Sequence, residues 1–235
     1  MLWMQGWDKA PYVPRECRLS WEAKNPSWTV IALSKNNIHN YVPAHEIPKD
    51  ASIQTQSDVI RLYLLANYGG VWADATCLCL RPLDSWMHMS GGFWMYRGWR
   101  WDVSKSWPIP NVKDGWHGPC IWFMASVQGS YLAKTWLKQL GEMLLGDFRD
   151  EYYLTDYAFA IRAQIDPSFD YAWRSVTYAD ALIPGGPAAL AERELEHTPG
   201  LLGLISATNP NVIKLGYAEE KDVNNTTEVI RWANR

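Results

Sequence analysis

The chain has 235 residues, 48% of them apolar and 20% charged, and a net charge of −3. That mix excludes intrinsic disorder, collagen and coiled coil, and with no run of five like charges the chain lacks the basic footprint of a nucleic-acid binder. The length fits one α/β domain with a substantial core.

In chain order, Leu2-Trp3-Met4 reads as a short strand that must find its partner later. Residues 11–24 carry Tyr12, Val13, Cys17 and Trp21 at loose helical spacing and stop at Asn25-Pro26. A β-branched apolar strand is expected over 28–33, then polar and proline-punctuated chain to Pro48. The clearest helix covers 51–68, with Val59, Leu62, Tyr63, Leu65 and Ala66 on its apolar face and Gly69-Gly70 at its end. A strand over 71–73 runs directly into Asp74, and 77–80 continues apolar. Strands over 92–96 and 120–125 flank a loop of about twenty residues, a length that compact domains reserve for function. Residues 130–145 and 152–165 are helical, and the remainder, punctuated by Pro184-Gly185-Gly186-Pro187 and Asn209-Pro210, reads as irregular. Strands alternating with helices predict an α/β domain with a mixed sheet.

The apolar stretch over 62–80 holds Asn67, Gly69, Gly70 and Asp74, so no transmembrane segment is expected. The N-terminus lacks a secretory pattern, and Cys17, Cys77, Cys79 and Cys120 show no framework spacing, which predicts reduced, buried thiols and a cytoplasmic location. Cys77 and Cys79 fall on one side of a strand and are read as core residues before zinc ligands.

Fifteen tryptophans are several-fold more than the length predicts, and more than half lie between Trp72 and Trp122. Indoles suit either a thick core or a surface that binds flat amphipathic rings such as sugars and nucleobases. The loop over 97–116 is thus either an acceptor platform, through Trp99, Trp101 and Trp107, or a flap over the core.

The chemistry concentrates in Ser57-Asp58-Val59-Ile60-Arg61, then Tyr68-Gly69-Gly70-Val71-Trp72-Ala73-Asp74-Ala75-Thr76. Asp58 and Arg61 are three apart on a helix, hence on one face, and Asp74 sits at the end of a strand, where open α/β sheets bind ligands. Taken singly, each piece has an ordinary reading. The pair is a surface ion pair worth ~0.3–0.5 kcal/mol, the glycines are a C-cap, and Asp74 starts a turn. Their joint occurrence points to one ligand cleft holding all three.

This window resembles the capsular polysaccharide synthesis proteins, within the sugar-nucleotide glycosyltransferases of the GT-A fold that include yeast mannosyltransferases and clostridial glucosylating toxins. The shared pattern is Ser-Asp-x-x-Arg, a leucine-rich helix, Gly-Gly, an aromatic residue and Asp-x-Asp. Leu2-Trp3-Met4-Gln5-Gly6-Trp7-Asp8, Ser20-Trp21 and Asn25-Pro26-Ser27-Trp28 are similar to the same family's opening. Weaker echoes lie at 118–125, 152–159 and Lys214-Leu215.

The resemblance implies a single GT-A-like, Rossmann-like domain with a mixed, mostly parallel sheet flanked by helices. Residues 1–83 would be the nucleotide-sugar-binding half and 84–235 the acceptor-side half. It implies transfer of a hexose from a nucleotide diphosphate sugar to a glycan hydroxyl, with retention. Trp3 would stack on the nucleobase, Gln5 and Gly6 approach the nucleotide, Asp58 and Arg61 hold the donor sugar, and Trp72 line the donor pocket. Asp74 would meet Mn²⁺ or Mg²⁺, with Thr76 where relatives have the second aspartate, so a full negative charge is lost from the site. Asp156 and His197 are candidates for a further ligand, with a structural role as the ordinary reading of each; Asp156 also falls on the acceptor side. Lys214 either neutralises phosphate or is simply solvated. Other classes that fit the tryptophan content or the carboxylates are a non-catalytic carbohydrate-binding module and a glycoside hydrolase.

Overall fold

A computed structural model describes residues 1–100, 117–146, 151–181, 183, 186–187, 201–216 and 223–234. Helix α1 (Tyr12–Lys24) and α2 (Ile53–Asn67) lead into strands β1 (Gly70–Ala73), β2 (Cys77–Cys79), β3 (Phe93–Arg100) and β4 (His117–Ser126). Helices α3 (Tyr131–Leu144), α4 (Leu154–Ile165) and α5 (Pro167–Arg174) follow, then β5 (Thr177–Asp180), α6 (Leu201–Thr208), β6 (Val212–Lys214) and α7 (Val223–Ala233). The fold is α/β, as the alternation of patterns predicts, and none of the described helices is long and apolar enough to cross a membrane.

The chain forms two units, each assembled from separated segments. One comprises Met1–Asn36, Ala73–His88 and Ala179–Arg235, the other Asn37–Trp72 and Met89–Tyr178.

In the first unit, α1 docks on β2 through polar groups that satisfy each other inside the core. Trp21 donates its indole N–H to the Cys77 carbonyl at 2.8 Å, the Cys79 amide donates to Ser20 Oγ at 2.9 Å, and the Leu83 amide to Asn25 Oδ1 at 2.7 Å. Cys17, Leu78, Ile205, Ile213, Leu215, Val229 and Ile230 form the apolar cluster beneath. β2 pairs with β6 in antiparallel register, Cys77 opposite Lys214 and Cys79 opposite Val212. The opening strand finds its partner at Leu33, in a single parallel bridge with Leu2. Beyond that bridge the strand expected over 28–33 does not form, and residues 28–32 are exposed or half-buried.

The second unit holds a sheet of order β1-β4-β3-β5. β3 and β4 run antiparallel, with register shifts between Met95 and Tyr96 and between Arg97 and Trp99. The β2–β6 and β3–β4 ladders are antiparallel, and the Leu2–Leu33 bridge is parallel. Helices α2, α3, α4 and α5 pack on one another in turn. Their core is aromatic: Phe159 meets Trp136 at 4.6 Å, Trp173 at 4.8 Å and Phe169 at 4.9 Å, all edge-on. Tyr96 meets Trp94 edge-on at 4.8 Å and stacks on Trp122 at 4.9 Å. Trp21, Trp72, Trp94, Trp136 and Trp173 are all buried, so for these five the high tryptophan content serves the interior.

All four cysteines are free and buried, as expected. Burial pushes the Cys17 thiol up and that of Cys79 to about 11, so neither is a ready nucleophile. The region read as irregular after residue 165 instead contains α5, β5, α6, β6 and α7. For α5 the signal was present. Asp166 accepts from the amides of Ser168 and Phe169 at 3.0 and 3.2 Å, and Pro167 follows at the first helical position.

Candidate functional site

The Ser-Asp-x-x-Arg motif lies on α2 in the second unit. Ser52 caps that helix by accepting from the Thr55 amide at 3.1 Å, which fixes its phase. Asp58 and Arg61 then share a face, and their side chains meet at 2.9 Å with only 10% of Asp58 and 7% of Arg61 exposed. This is a buried pair, not the surface pair that an isolated Asp-x-x-Arg suggests. Arg61 also donates to the Ile121 carbonyl at 2.7 Å and to Ser57 Oγ at 3.4 Å, with its guanidinium 5.2 Å from the centre of the Trp72 ring. Thr155 donates its hydroxyl to Asp58 Oδ2 at 2.5 Å. The pair thereby ties α2 to β4 and α4.

Asp156, the residue after Thr155, is half-buried. Desolvation, and then the Asp58 carboxylate, push it up to about 7, while Arg61 acts in the opposite direction. The second unit therefore brings Asp58, Arg61, Trp72 and Asp156 together: two carboxyls and one guanidinium, with one carboxyl able to carry a proton near neutral pH. Thr155 and the Ile121 carbonyl were missed from sequence, because a hydroxyl or a backbone oxygen carries no pattern of its own.

The turn between Tyr68 and β1 explains the double glycine. Gly69 and Gly70 have φ of +73° and +89°, and a Cβ on Gly69 would stand 2.5 Å from the Gln128 amide nitrogen and 2.8 Å from the Ser126 carbonyl. A side chain there would displace backbone.

Asp74 and Thr76 belong to the first unit. The Cys77 amide donates to the Asp74 carbonyl at 2.9 Å, closing a tight turn, and the Leu215 amide donates to the Thr76 carbonyl at 2.9 Å. Lys214 is thereby held beside the motif, and its Nζ reaches Asp74 Oδ2 and Thr76 Oγ1, both at 2.8 Å. Lys214 is thus the partner of the motif carboxylate. Trp3, Gln5 and Gly6 are in the same unit. The Gly6 amide donates to the Trp3 carbonyl at 3.0 Å, making a turn in which Trp3 is half-buried and Gln5 exposed.

Asp74, Thr76 and Lys214 do not fit a divalent cation as the resemblance implied. The two oxygens that a metal would take are both accepting from an ammonium, and one of them is a hydroxyl. Among the described residues no group of three or more His, Cys, Asp or Glu side chains could hold a metal ion. Trp101, Trp107 and His197 lie outside the described residues, as does the side chain of Trp99.

The comparisons agree with this reading of the fold. The family described as capsular polysaccharide synthesis protein matches residues 1–227. A curated relative from Aspergillus fumigatus, "Glycosyltransferase afumC", is 30% identical over 152 residues, 57% of this chain. The matched stretch spans 37% of that relative's length. The solved structure "PaToxG Glycosyltransferase" superposes with a TM-score of 0.50 at 13% identity, covering 99% of this chain and 85% of its own.

Proposed function

Because this chain belongs to the capsular polysaccharide synthesis protein family, we propose that it is a GT-A-type glycosyltransferase moving a hexose from a nucleotide diphosphate sugar to a glycan hydroxyl. The observation that carries the reading is the Lys214 ammonium held at 2.8 Å from the motif carboxylate Asp74, a cation of the kind a diphosphate requires. The acceptor oxygen forms a bond to the anomeric carbon. The bond from that carbon to the phosphate oxygen breaks with its electron pair on the diphosphate, which takes the acceptor proton, and the anomeric configuration is retained.

Trp3 stacks on the nucleobase, Gln5 and Gly6 follow the nucleotide, Asp58 and Arg61 hold the donor sugar hydroxyls, and Trp72 lines their surroundings. Lys214 neutralises the developing charge. Trp99, Trp101, Trp107 and Asp156 serve the acceptor. The A. fumigatus relative, named a glycosyltransferase, supports a transferase. The burial of Trp21, Trp72, Trp94, Trp136 and Trp173 weighs against a lectin whose tryptophans are mainly a sugar platform.

Incubation with a panel of nucleotide sugars tests the reading. Release of nucleoside diphosphate, faster when a glycan acceptor is present, is the expected result. Sugar binding without nucleotide binding would make the chain a carbohydrate-binding module, and glycan cleavage without nucleotide a hydrolase. Trp101→Ala should raise the acceptor KM while donor hydrolysis stays close to wild type, whereas an equal loss of both would remove that residue from the acceptor side.

A further inference from the structure

The position of Lys214 is set by backbone rather than by the reach of a long side chain. It closes the β2–β6 ladder opposite Cys77, its own amide donates to the Pro187 carbonyl at 2.7 Å, and the next amide, of Leu215, is bonded to Thr76. From that anchor its ammonium stands 2.8 Å from Asp74 Oδ2 and 2.8 Å from Thr76 Oγ1. The side chains of Lys214 and Asp74 remain 19 and 24% exposed, so a ligand can reach both.

A divalent ion bound through the first and third residues of Asp-x-Asp would sit between these same two oxygens, at about 2.0–2.6 Å from each. The ammonium already occupies that position, and a metal placed beside it would meet like charge at short range. The charges also balance without one. Two carboxylates and a divalent cation sum to zero, as do one carboxylate, one hydroxyl and one ammonium. The aspartate that this chain lacks at residue 76 and the lysine it carries at 214 are thus two halves of one exchange.

We propose that Lys214 stands in place of the divalent metal, its ammonium held between Asp74 and Thr76 to receive the diphosphate, and that donor binding in this chain needs no metal ion. The inference rests on the nucleotide-sugar reading above. As the bond from the anomeric carbon to phosphate breaks, the electron pair left on the diphosphate is met by the ammonium, which stays protonated and donates hydrogen bonds to the leaving oxygens.

Calorimetry with UDP, GDP, ADP and CDP on the intact chain, in EDTA and again in millimolar Mn²⁺, reads this out without turnover. At least one nucleotide should bind in EDTA, with affinity unchanged by Mn²⁺ to within about twofold. Lys214→Met should weaken that binding about tenfold or more, the loss expected of a charge-assisted hydrogen bond. The double variant Lys214→Met, Thr76→Asp should regain binding only when Mn²⁺ is added. Melting curves identify any variant that fails to fold, in which case the wild-type comparison of EDTA with Mn²⁺ decides alone. Binding by wild type only in Mn²⁺ overturns the inference and leaves the donor reading standing. No binding of any nucleotide under either condition removes the donor reading, and the inference with it.

Discussion

Replacing Arg61 by methionine keeps much of the volume and removes a cation that acts on both Asp58 and Asp156. Three things are lost: a 2.9 Å ion pair between buried groups, a 2.7 Å hydrogen bond to the Ile121 carbonyl, and the opposing charge that keeps Asp156 from rising further. Removing one partner of a buried pair costs about 3–5 kcal/mol, which for a chain of this size lowers the melting temperature by about 6–20 °C. Asp58→Asn is the informative contrast. It leaves Arg61 with Asp156 as a neighbour and lifts the repulsion that raises Asp156, so its loss should be nearer 1–3 kcal/mol, about that of an unmatched buried polar group. The pH dependence has a definite sign. A carboxyl raised above its unfolded value favours the native state fully at low pH and loses that advantage as pH rises through the folded value. In Arg61→Met the folded value lies above about 7, so the penalty relative to wild type should grow between pH 6 and pH 9, whereas in Asp58→Asn it should shrink. Urea titrations followed by tryptophan fluorescence at those two pH values measure both. An Asp58→Asn loss equal to or above that of Arg61→Met, or an Arg61→Met penalty that falls with pH, would show that the two carboxyls are not coupled through this guanidinium.

Asp156→Asn should flatten the decline in stability that wild type shows as pH rises from about 4 to about 7, leaving the variant the more stable protein at pH 8; thermal melts across that window check the direction. Gly69→Ala should cost more than the ~1–2 kcal/mol of a left-handed alanine, because the new Cβ meets the Gln128 amide, while Gly70→Ala, with nothing within 4 Å, should cost only that strain. Equal melting temperatures for the two would refute the close approach. Trp136→Ala, which empties a fully buried indole site and leaves the Thr155 carbonyl without its 2.8 Å donor, should lose about 3–5 kcal/mol in denaturant titration.

The elements legible in the sequence are those with a long amphipathic period or a strong stop. Helix α2 declares both ends, through Ser52 and Gly69-Gly70, and α1, α3 and α4 show the same repeating apolar spacing. β6 has three residues and α6 eight, too short for any period to emerge, and their partners lie far away in the chain. The candidate site divides in the same way. Asp58, Arg61 and Asp74 stand in a local pattern and could be picked out. The pairing of Lys214 with Asp74 spans 140 residues and is created by a strand ladder, so no window of sequence contains it. Thr155 and Asp156 belong to a helix that was read correctly, but what they touch depends on how that helix packs against α2.

The segmented make-up of the first unit bears on how the chain is born at the ribosome. α1 and β2 emerge early with Cys17 and Leu78 uncovered, and the groups that seal them, Ile205, Ile213, Val229 and Ile230, are translated more than a hundred residues later. Until then the nascent protein carries an open apolar seam, and the long sequence separation of its two sides predicts that this part of the molecule closes last.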